Sequence, residues 1–256
     1  MRYILTLSYD GNALSGWQIQ NNADTVQGEL EKALGILTGS PVEVTGAGRT
    51  DAGVNAINYI AHFDADLADI KQDLLCYKLN AIIPKEIIVH SISEASNDFH
   101  SRFDARLRTY KYFIHFRKDP FCEKFSWHCK HSLDMDRMNA AAAHLLGEHD
   151  FSCFEKTGGN NATSLCTITK ACWERYTPDH VRMMGYPASE GDYIVFTVSA
   201  NRFLRNMVRA IVGSLVEVGR GKKEPEWIKS LVESGCRSDA GMSVPGNALF
   251  LCGVDY

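Results

Sequence analysis

Apolar and polar positions alternate from residue 2 to 10 with the period of two expected of a strand, and Asp10-Gly11 ends the run. After a polar loop holding Gly16-Trp17-Gln18, Val26, Leu30, Ala33, Leu34 and Leu37 recur at helical spacing. Asp24 supplies the N-cap chemistry for that helix and Gly39 the C-cap. Val42 and Val44 then alternate with Glu43 and Thr45, and Val54 to Phe63 is rich in β formers, so both stretches read as strands. A second helix, with Ile70, Leu74, Leu75 and Leu79 on one face, runs from about Asp69 toward Pro84, and Ile87 to Ile92 makes a further strand. The order β-α-β-β-α-β is the split ferredoxin-like pattern.

The second half repeats this layout. Leu107 to Phe116 is an aromatic-rich strand, and Asp134 to Leu146 an Ala-rich helix closed by Gly147. Thr167 to Tyr176 and Tyr193 to Ala200 are strands, the latter following a turn at Ser189-Glu190-Gly191-Asp192. Arg202 to Val218 is a helix with the stripe Phe203, Met207, Ile211 and Leu215. Glu226 to Val232, opened by Pro225, is a shorter helix, and Leu249 to Val254 a closing strand. Residues 155–164 read as a mobile loop around Gly158-Gly159-Asn160-Asn161. The expected fold class is therefore α+β, in two halves, 1–104 and 105–256, facing each other across a cleft.

At 256 residues, 45% hydrophobic and 23% charged, the composition is that of a globular protein. No apolar run approaches the roughly 18 residues that span a bilayer, and Arg2 leads directly into a strand-like segment, so neither a membrane span nor a secretory signal is expected. The cytoplasm is the expected location. In that compartment the eight cysteines are reduced packing residues. Cys122, His128, Cys129 and His131 form one cluster, but their spacing matches no standard zinc pattern, and no metal is expected.

The net charge of −4 does not mark a nucleic-acid binder, yet the charge is uneven. Arg102, Arg106, Arg108, Lys111, Arg117 and Lys118 face Asp104 alone, and Arg202, Arg205, Arg209, Arg220, Lys222 and Lys223 face Glu217 alone. Such runs are commonly solvated faces, but two of them interleaved with apolar residues suit a surface that tracks phosphates.

The stretch with the most chemistry is Gly46-Ala47-Gly48-Arg49-Thr50-Asp51-Ala52-Gly53-Val54, a glycine-rich loop between two strands. Spacing alone leaves two readings. In one, Thr50-Asp51-Ala52-Gly53 is an ordinary turn with Asp51 bonded to its own backbone and Arg49 in water. In the other, Asp51 is a carboxylate fixed by rigid flanks for nucleophilic attack.

Gly48-Arg49-Thr50-Asp51-Ala52-Gly53-Val54 resembles the signature of the tRNA pseudouridine synthase A family. The resemblance extends in order through Gly16-Trp17-Gln18, Leu79-Asn80-Ala81, Asp98-Phe99-His100-Ser101-Arg102-Phe103, the segment around Tyr110, and Met207-Val208-Arg209 with Ile211-Val212-Gly213. It implies a fold of two ferredoxin-like halves forming a continuous antiparallel or mixed sheet, with helices packed on it and a central cleft. It also implies an isomerase that converts uridine to pseudouridine in the anticodon stem-loop of tRNA. By the same resemblance Asp51 is the nucleophile, Arg209 its ion-pair partner, and Tyr110 the tyrosine that stacks on the flipped base and serves in proton transfer. Arg49 fills the space of the departing base and Leu249 packs on the uracil. Arg102, Arg106, Arg108, Arg202 and Arg205 become candidates for RNA backbone contacts.

The reaction involves no redox change or net hydrolysis, so no cofactor is expected, and the family implies a homodimer whose partner is tRNA. Asn55, where histidine is common, and Leu204-Arg205-Asn206 depart from the family pattern. Two other classes stay open from the residues themselves. One is a non-catalytic ferredoxin-like RNA-binding module, since sheets carrying aromatics are a common RNA platform. The other is a small-molecule α+β enzyme.

Overall fold

The computed structural model describes residues 1–67, 70–156, 158 and 163–256. In chain order the elements are strand β1 (Arg2–Tyr9), helix α1 (Val26–Thr38), β2 (Val44–Gly46), β3 (Asn55–Asp64), α2 (Gln72–Ile82), β4 (Ile87–Ala95) and β5 (Leu107–His115). They continue with β6 (Trp127–His128), α3 (Met135–Ala143), β7 (Gly147–Asp150), β8 (Leu165–Arg175), α4 (Asp179–Met184), β9 (Tyr193–Ala200), α5 (Met207–Gly219), α6 (Glu226–Ser234) and β10 (Leu249–Asp255). The class is mixed α+β. No described helix is long and apolar enough to cross a membrane, and all eight cysteines are free thiols.

The chain forms two compact units, Met1–Arg108 with Phe250–Tyr256, and Thr109–Leu249. In the first, the strand order is β4-β1-β3-β10, with β2 also paired to β3. The predicted β-α-β-β-α-β order is present, and β1 buries alternate side chains, Tyr3, Leu5, Leu7 and Tyr9. Since β1 occupies one edge of β3, β2 (against residues 61–63) and the parallel β10 (against residues 55 and 56) share the other. Thr25, one residue later than the sequence suggested, caps α1 by accepting from the Gly28 N–H, and Gly39 closes it at φ 73°. Of the α2 stripe, Leu75 and Leu79 are buried while Leu74 faces solvent; the expected start at Asp69 lies outside the described residues.

β3 is less regular than its sequence. Against β1, Leu7 pairs with Tyr59 but Tyr9 with Ala56, so the register slips by one residue, and Asn58 at φ 55° takes up the extra length. Asparagine tolerates this left-handed conformation better than a β-branched residue would. The bulge re-aims the side chains that follow it, which fixes where Tyr59 points.

In the second unit the strand order is β5-β9-β8-β7, with the two-residue β6 parallel to β5. All eight positions of β9 are buried, as an interior strand covered on both faces requires. Helix α5 begins at Met207 rather than at the expected residue 202, because Asn206 stands at φ 64°, outside helical space. Phe203 is thereby left off the helical stripe. Likewise α3 stops at Ala143, and Gly147, at φ 102°, opens β7 instead of closing the helix. Part of the expected loop at 155–164 lies outside the described residues.

Every α5 position except Arg209 and Glu217 is buried, and one face meets backbone at very short range. A Cβ on Gly213 would lie 1.8 Å from the Met242 carbonyl oxygen, and one on Gly241 would lie 2.7 Å from the Gly213 carbonyl carbon. The Gly241 N–H donates to Ser214 Oγ at 2.8 Å, so segment and helix are bonded as well as packed. Gly213→Ala is expected to destabilise the protein by at least about 1–3 kcal/mol in urea unfolding, the cost of forcing an extra methyl into a full site. Gly253→Ala, whose Cβ would meet nothing within 4 Å among the described residues, is expected to change little.

Candidate active site

The loop from Gly46 to Val54 is held along much of its length. Ala47 N–H donates to the Ile60 carbonyl at 2.9 Å, which continues the β2–β3 ladder by one residue. The Tyr59 hydroxyl, placed by the bulge, donates to the Gly48 carbonyl and accepts the Gly48 N–H at 3.3 Å. The Thr50 carbonyl accepts from Trp17 N–H at 3.2 Å, while its hydroxyl meets that of Tyr9 at 2.9 Å. Asp51 carbonyl takes the Val54 N–H at 3.1 Å, closing a turn in which Gly53 has φ 80°. Asp51 is half-buried and Arg49 exposed. The turn reading and the rigid-flank reading are therefore both true of the backbone: a turn is present, and its surroundings immobilise it.

Three aromatic residues make this clamp: Trp17, from the Gly16-Trp17-Gln18 motif, and Tyr9 and Tyr59, which the sequence did not single out. Trp17 and Tyr59 stack at 4.3 Å between ring centroids, and Tyr9 meets Tyr59 edge-on at 5.6 Å. Each such pair contributes about 1 kcal/mol beyond burial. The clamp needs glycines opposite it: a Cβ on Gly46 would lie 2.1 Å from the Tyr59 hydroxyl, and one on Gly16 2.5 Å from the Thr50 carbonyl oxygen. That gives Gly16-Trp17-Gln18 a physical task. Asn55 is buried and accepts the Gly11 N–H at 2.9 Å, tying the end of β1 to the start of β3. The first departure from the family pattern is thus a backbone brace.

Arg108 differs from the other candidate RNA contacts. It is buried, and its guanidinium donates to Ala47 at 2.8 and 3.2 Å, to Arg102 at 2.7 Å and to Ala105 at 3.2 Å, all backbone carbonyls. It serves the Asp51 loop from beneath. Arg102, Arg106 and Arg205 are exposed and Arg202 is half-buried; Arg102 lies over the exposed Phe103 ring, 5.7 Å from its centroid.

Asp51 and Arg49 belong to the first unit; Tyr110, Arg209 and Leu249 belong to the second. Tyr110 is buried with the half-buried Phe203 edge-on at 5.0 Å, so the residue dropped from the α5 stripe packs against the candidate tyrosine. Arg209, half-buried, donates from Nε to the Val244 carbonyl at 2.7 Å, and its own carbonyl accepts the Val244 N–H at 3.2 Å. That two-way bracket fixes the guanidinium's direction. Asn206, in the second departure, bonds Ser243 at 2.5 Å from its left-handed cap position. Leu249 is buried.

The match to known proteins now decides the family. Residues 141–256 match a sequence family described as tRNA pseudouridine synthase. Over 255 residues the chain is 44% identical to tRNA pseudouridine synthase A of Parabacteroides distasonis, covering 100% of this chain and 96% of the relative. It is 45% identical over 256 residues to the protein of that name from Bacteroides thetaiotaomicron (100% and 90% covered), and 39% identical over 254 residues to tRNA pseudouridine synthase A 2 of Clostridium perfringens (98% and 98%). The chain belongs to the tRNA pseudouridine synthase A family.

In this family member the motif at residues 98–103 also supports the loop. Ser101 is buried; its hydroxyl lies 2.7 Å from the Thr45 carbonyl and 2.9 Å from His62 Nδ1, and its N–H donates to the same nitrogen at 3.2 Å. Burial, reinforced by the Arg2 guanidinium and His100, pushes the His62 pKa down to about 4. An unfolded histidine titrates near 6.5, so between these values the unfolded chain binds more protons than the folded one. Stability is therefore expected to be complete above about pH 6.5 and to fall steadily toward about pH 4. Urea unfolding across that window should show the slope, and His62→Gln should flatten it.

Proposed function

We propose that this tRNA pseudouridine synthase acts on uridines of the anticodon stem-loop, with Asp51 as the nucleophile. The observation that carries the reading is the immobilised turn that presents Asp51 half-buried, with Gly48 and Thr50 bonded on either side of Arg49. A carboxylate held this way loses little freedom on attack, which is what orientation contributes to a barrier. The target base leaves its stack at a cost of a few kcal/mol. The carboxylate then adds to the base or to the sugar carbon, and the N-glycosidic bond breaks. The base turns, carbon 5 bonds to the sugar, the bond to Asp51 breaks and returns the free carboxylate, the carbon-5 proton departs and nitrogen 1 gains one. Atoms and charge balance without a redox partner.

The remaining roles follow from the family positions. Arg209 keeps Asp51 ionised while substrate excludes water, since a nearby guanidinium favours the charged carboxylate. Tyr110 stacks on the base and passes the proton, Leu249 packs on the uracil, and Arg49 occupies the space the base vacates. Arg102, Arg106, Arg202 and Arg205 hold phosphates. The enzyme works as a homodimer in the cytoplasm, with one tRNA crossing both subunits.

Two outcomes test this. With unmodified tRNA tritiated at carbon 5 of uracil, the wild type should release label to solvent, whereas Asp51→Asn should bind the tRNA and release none; release by that variant ends the assignment. In salt titrations of tRNA affinity, Arg102→Gln should reduce the slope of log affinity against log salt by about one. Arg108→Lys should leave that slope unchanged and lower turnover instead, because its fork serves the loop.

A further inference from the structure

At the end of β5, away from the Asp51 loop in sequence and in the second unit, lies a cluster with no part in the chemistry above. His115 is fully buried. Its Nδ1 meets Ser126 Oγ at 3.0 Å, but its Nε2 is buried without a hydrogen-bond partner among the described residues. The atom it faces is Glu123 Oε1, 3.6 Å away, beyond hydrogen-bond length. His128, paired with His115 across the β5–β6 ladder, brings its Nδ1 to 4.0 Å from the same oxygen, and one ligand atom from each of the three residues lies within 4.8 Å of the others. A buried polar nitrogen left unpaired in a native protein calls for an explanation, an ion among them.

We propose that His115 Nε2, His128 Nδ1 and the Glu123 carboxylate form a zinc site. Two imidazoles and one carboxylate, with a fourth position for water, are a borderline-soft donor set that suits zinc and disfavours magnesium or calcium. In a tetrahedral site with bonds near 2.0–2.2 Å, ligand atoms stand roughly 3.3–3.5 Å apart, so the three groups close in by a few tenths of an ångström to about one. Glu123 and His128 are the groups that move: their side chains are 45% and 26% exposed, against 0% for His115. His128 also turns, because its ring is stacked on His115 at 13° between planes and parallel rings cannot both aim a lone pair at one ion. Metal binding sets the His115 tautomer with the proton on Nδ1, donated to Ser126, the arrangement metal-bound histidines generally adopt. The set shares only His128 with the cluster Cys122, His128, Cys129 and His131, whose spacing in the sequence matches no standard zinc pattern. Cys122 and Cys129 turn their sulfurs to the carbonyls of Asp119 (3.8 Å) and His131 (3.6 Å). The ion would bridge the loop between residues 115 and 128 to the strand it leaves.

Equilibrium dialysis of the full chain against Zn²⁺, paired with the visible spectrum of the Co²⁺ form and with thermal melts, tests the site. Expected are one equivalent of zinc per chain, a cobalt spectrum without a thiolate charge-transfer band, and a melting point that rises with zinc. Glu123→Gln and His128→Gln should each weaken binding at least about tenfold and abolish the rise, whereas Cys122→Ser should change neither. Absence of saturable zinc binding by the wild type overturns the proposal, as does binding that survives in Glu123→Gln and His128→Gln or is lost in Cys122→Ser.

Discussion

The bond on which the candidate site depends is the one between the Tyr59 hydroxyl and the backbone of Gly48, since it joins the Asp51 loop to the sheet at the loop's middle rather than at its ends. Loops between strands ordinarily run over the surface, where water satisfies their amides and their conformation wanders. Here the peptide groups at Ala47, Gly48 and Thr50 are satisfied by Ile60, Arg108, Tyr59 and Trp17. The geometry that permits this comes from a single displaced residue. Asn58 takes the left-handed conformation, β3 gains a residue against β1, and Tyr59 turns inward to a position that only glycine at 46 leaves open.

This is also why the candidate loop could be singled out from sequence more readily than its construction. The glycine-rich run around Asp51 is contiguous, so it stood out locally as either a turn or a site, and the family resemblance favoured the site. Tyr59, Trp17, Tyr9 and Arg108 converge on it from distant stretches, and each carries an ordinary local excuse. Tyr9 and Tyr59 fit strands as aromatics, Trp17 reads as a loop anchor, and Arg108 sits in a basic run. The clearest available hint was Asn58, a poor β former in the middle of an otherwise strong strand pattern. Element types were legible because amphipathic periods are strong in β1, α1 and α6, and because β9 is a continuous run of β formers. Boundaries slipped where local backbone geometry decided them: Asn206 in the left-handed region delays α5, and α3 closes at its cap His144 in a tightened turn three residues before Gly147. Strands as short as β6 and β7 have too few residues to show a period at all.

Helix α5 shows the same economy in the second unit. Its arginine is one of two positions that escape burial, and the segment that orients it, residues 241–245, reaches it only because Gly213 and Gly241 let two backbones touch. The family motif Met207-Val208-Arg209 with Ile211-Val212-Gly213 thus encodes a candidate site residue and the docking surface for its support in about two helical turns. Basic residues nearby in sequence fall to different uses. Arg108 is structural, while Arg102 and Arg106 remain on the surface.

The strand β10 has a bearing on how the molecule comes into being. It lies parallel to β3 yet is made more than a hundred residues later, so during synthesis the first unit emerges with one margin of its sheet unfinished. At ribosomal speeds of about 5–20 residues per second, that interval lasts on the order of ten seconds. Throughout it the backbone amides near Asn55 and Ala56, next to the Asp51 loop, are open to any passing strand, including one from a second nascent copy. The asparagine bulge in β3 then has a second value, since a margin twisted out of flatness is a poor template for the wrong partner while the right one is still being translated.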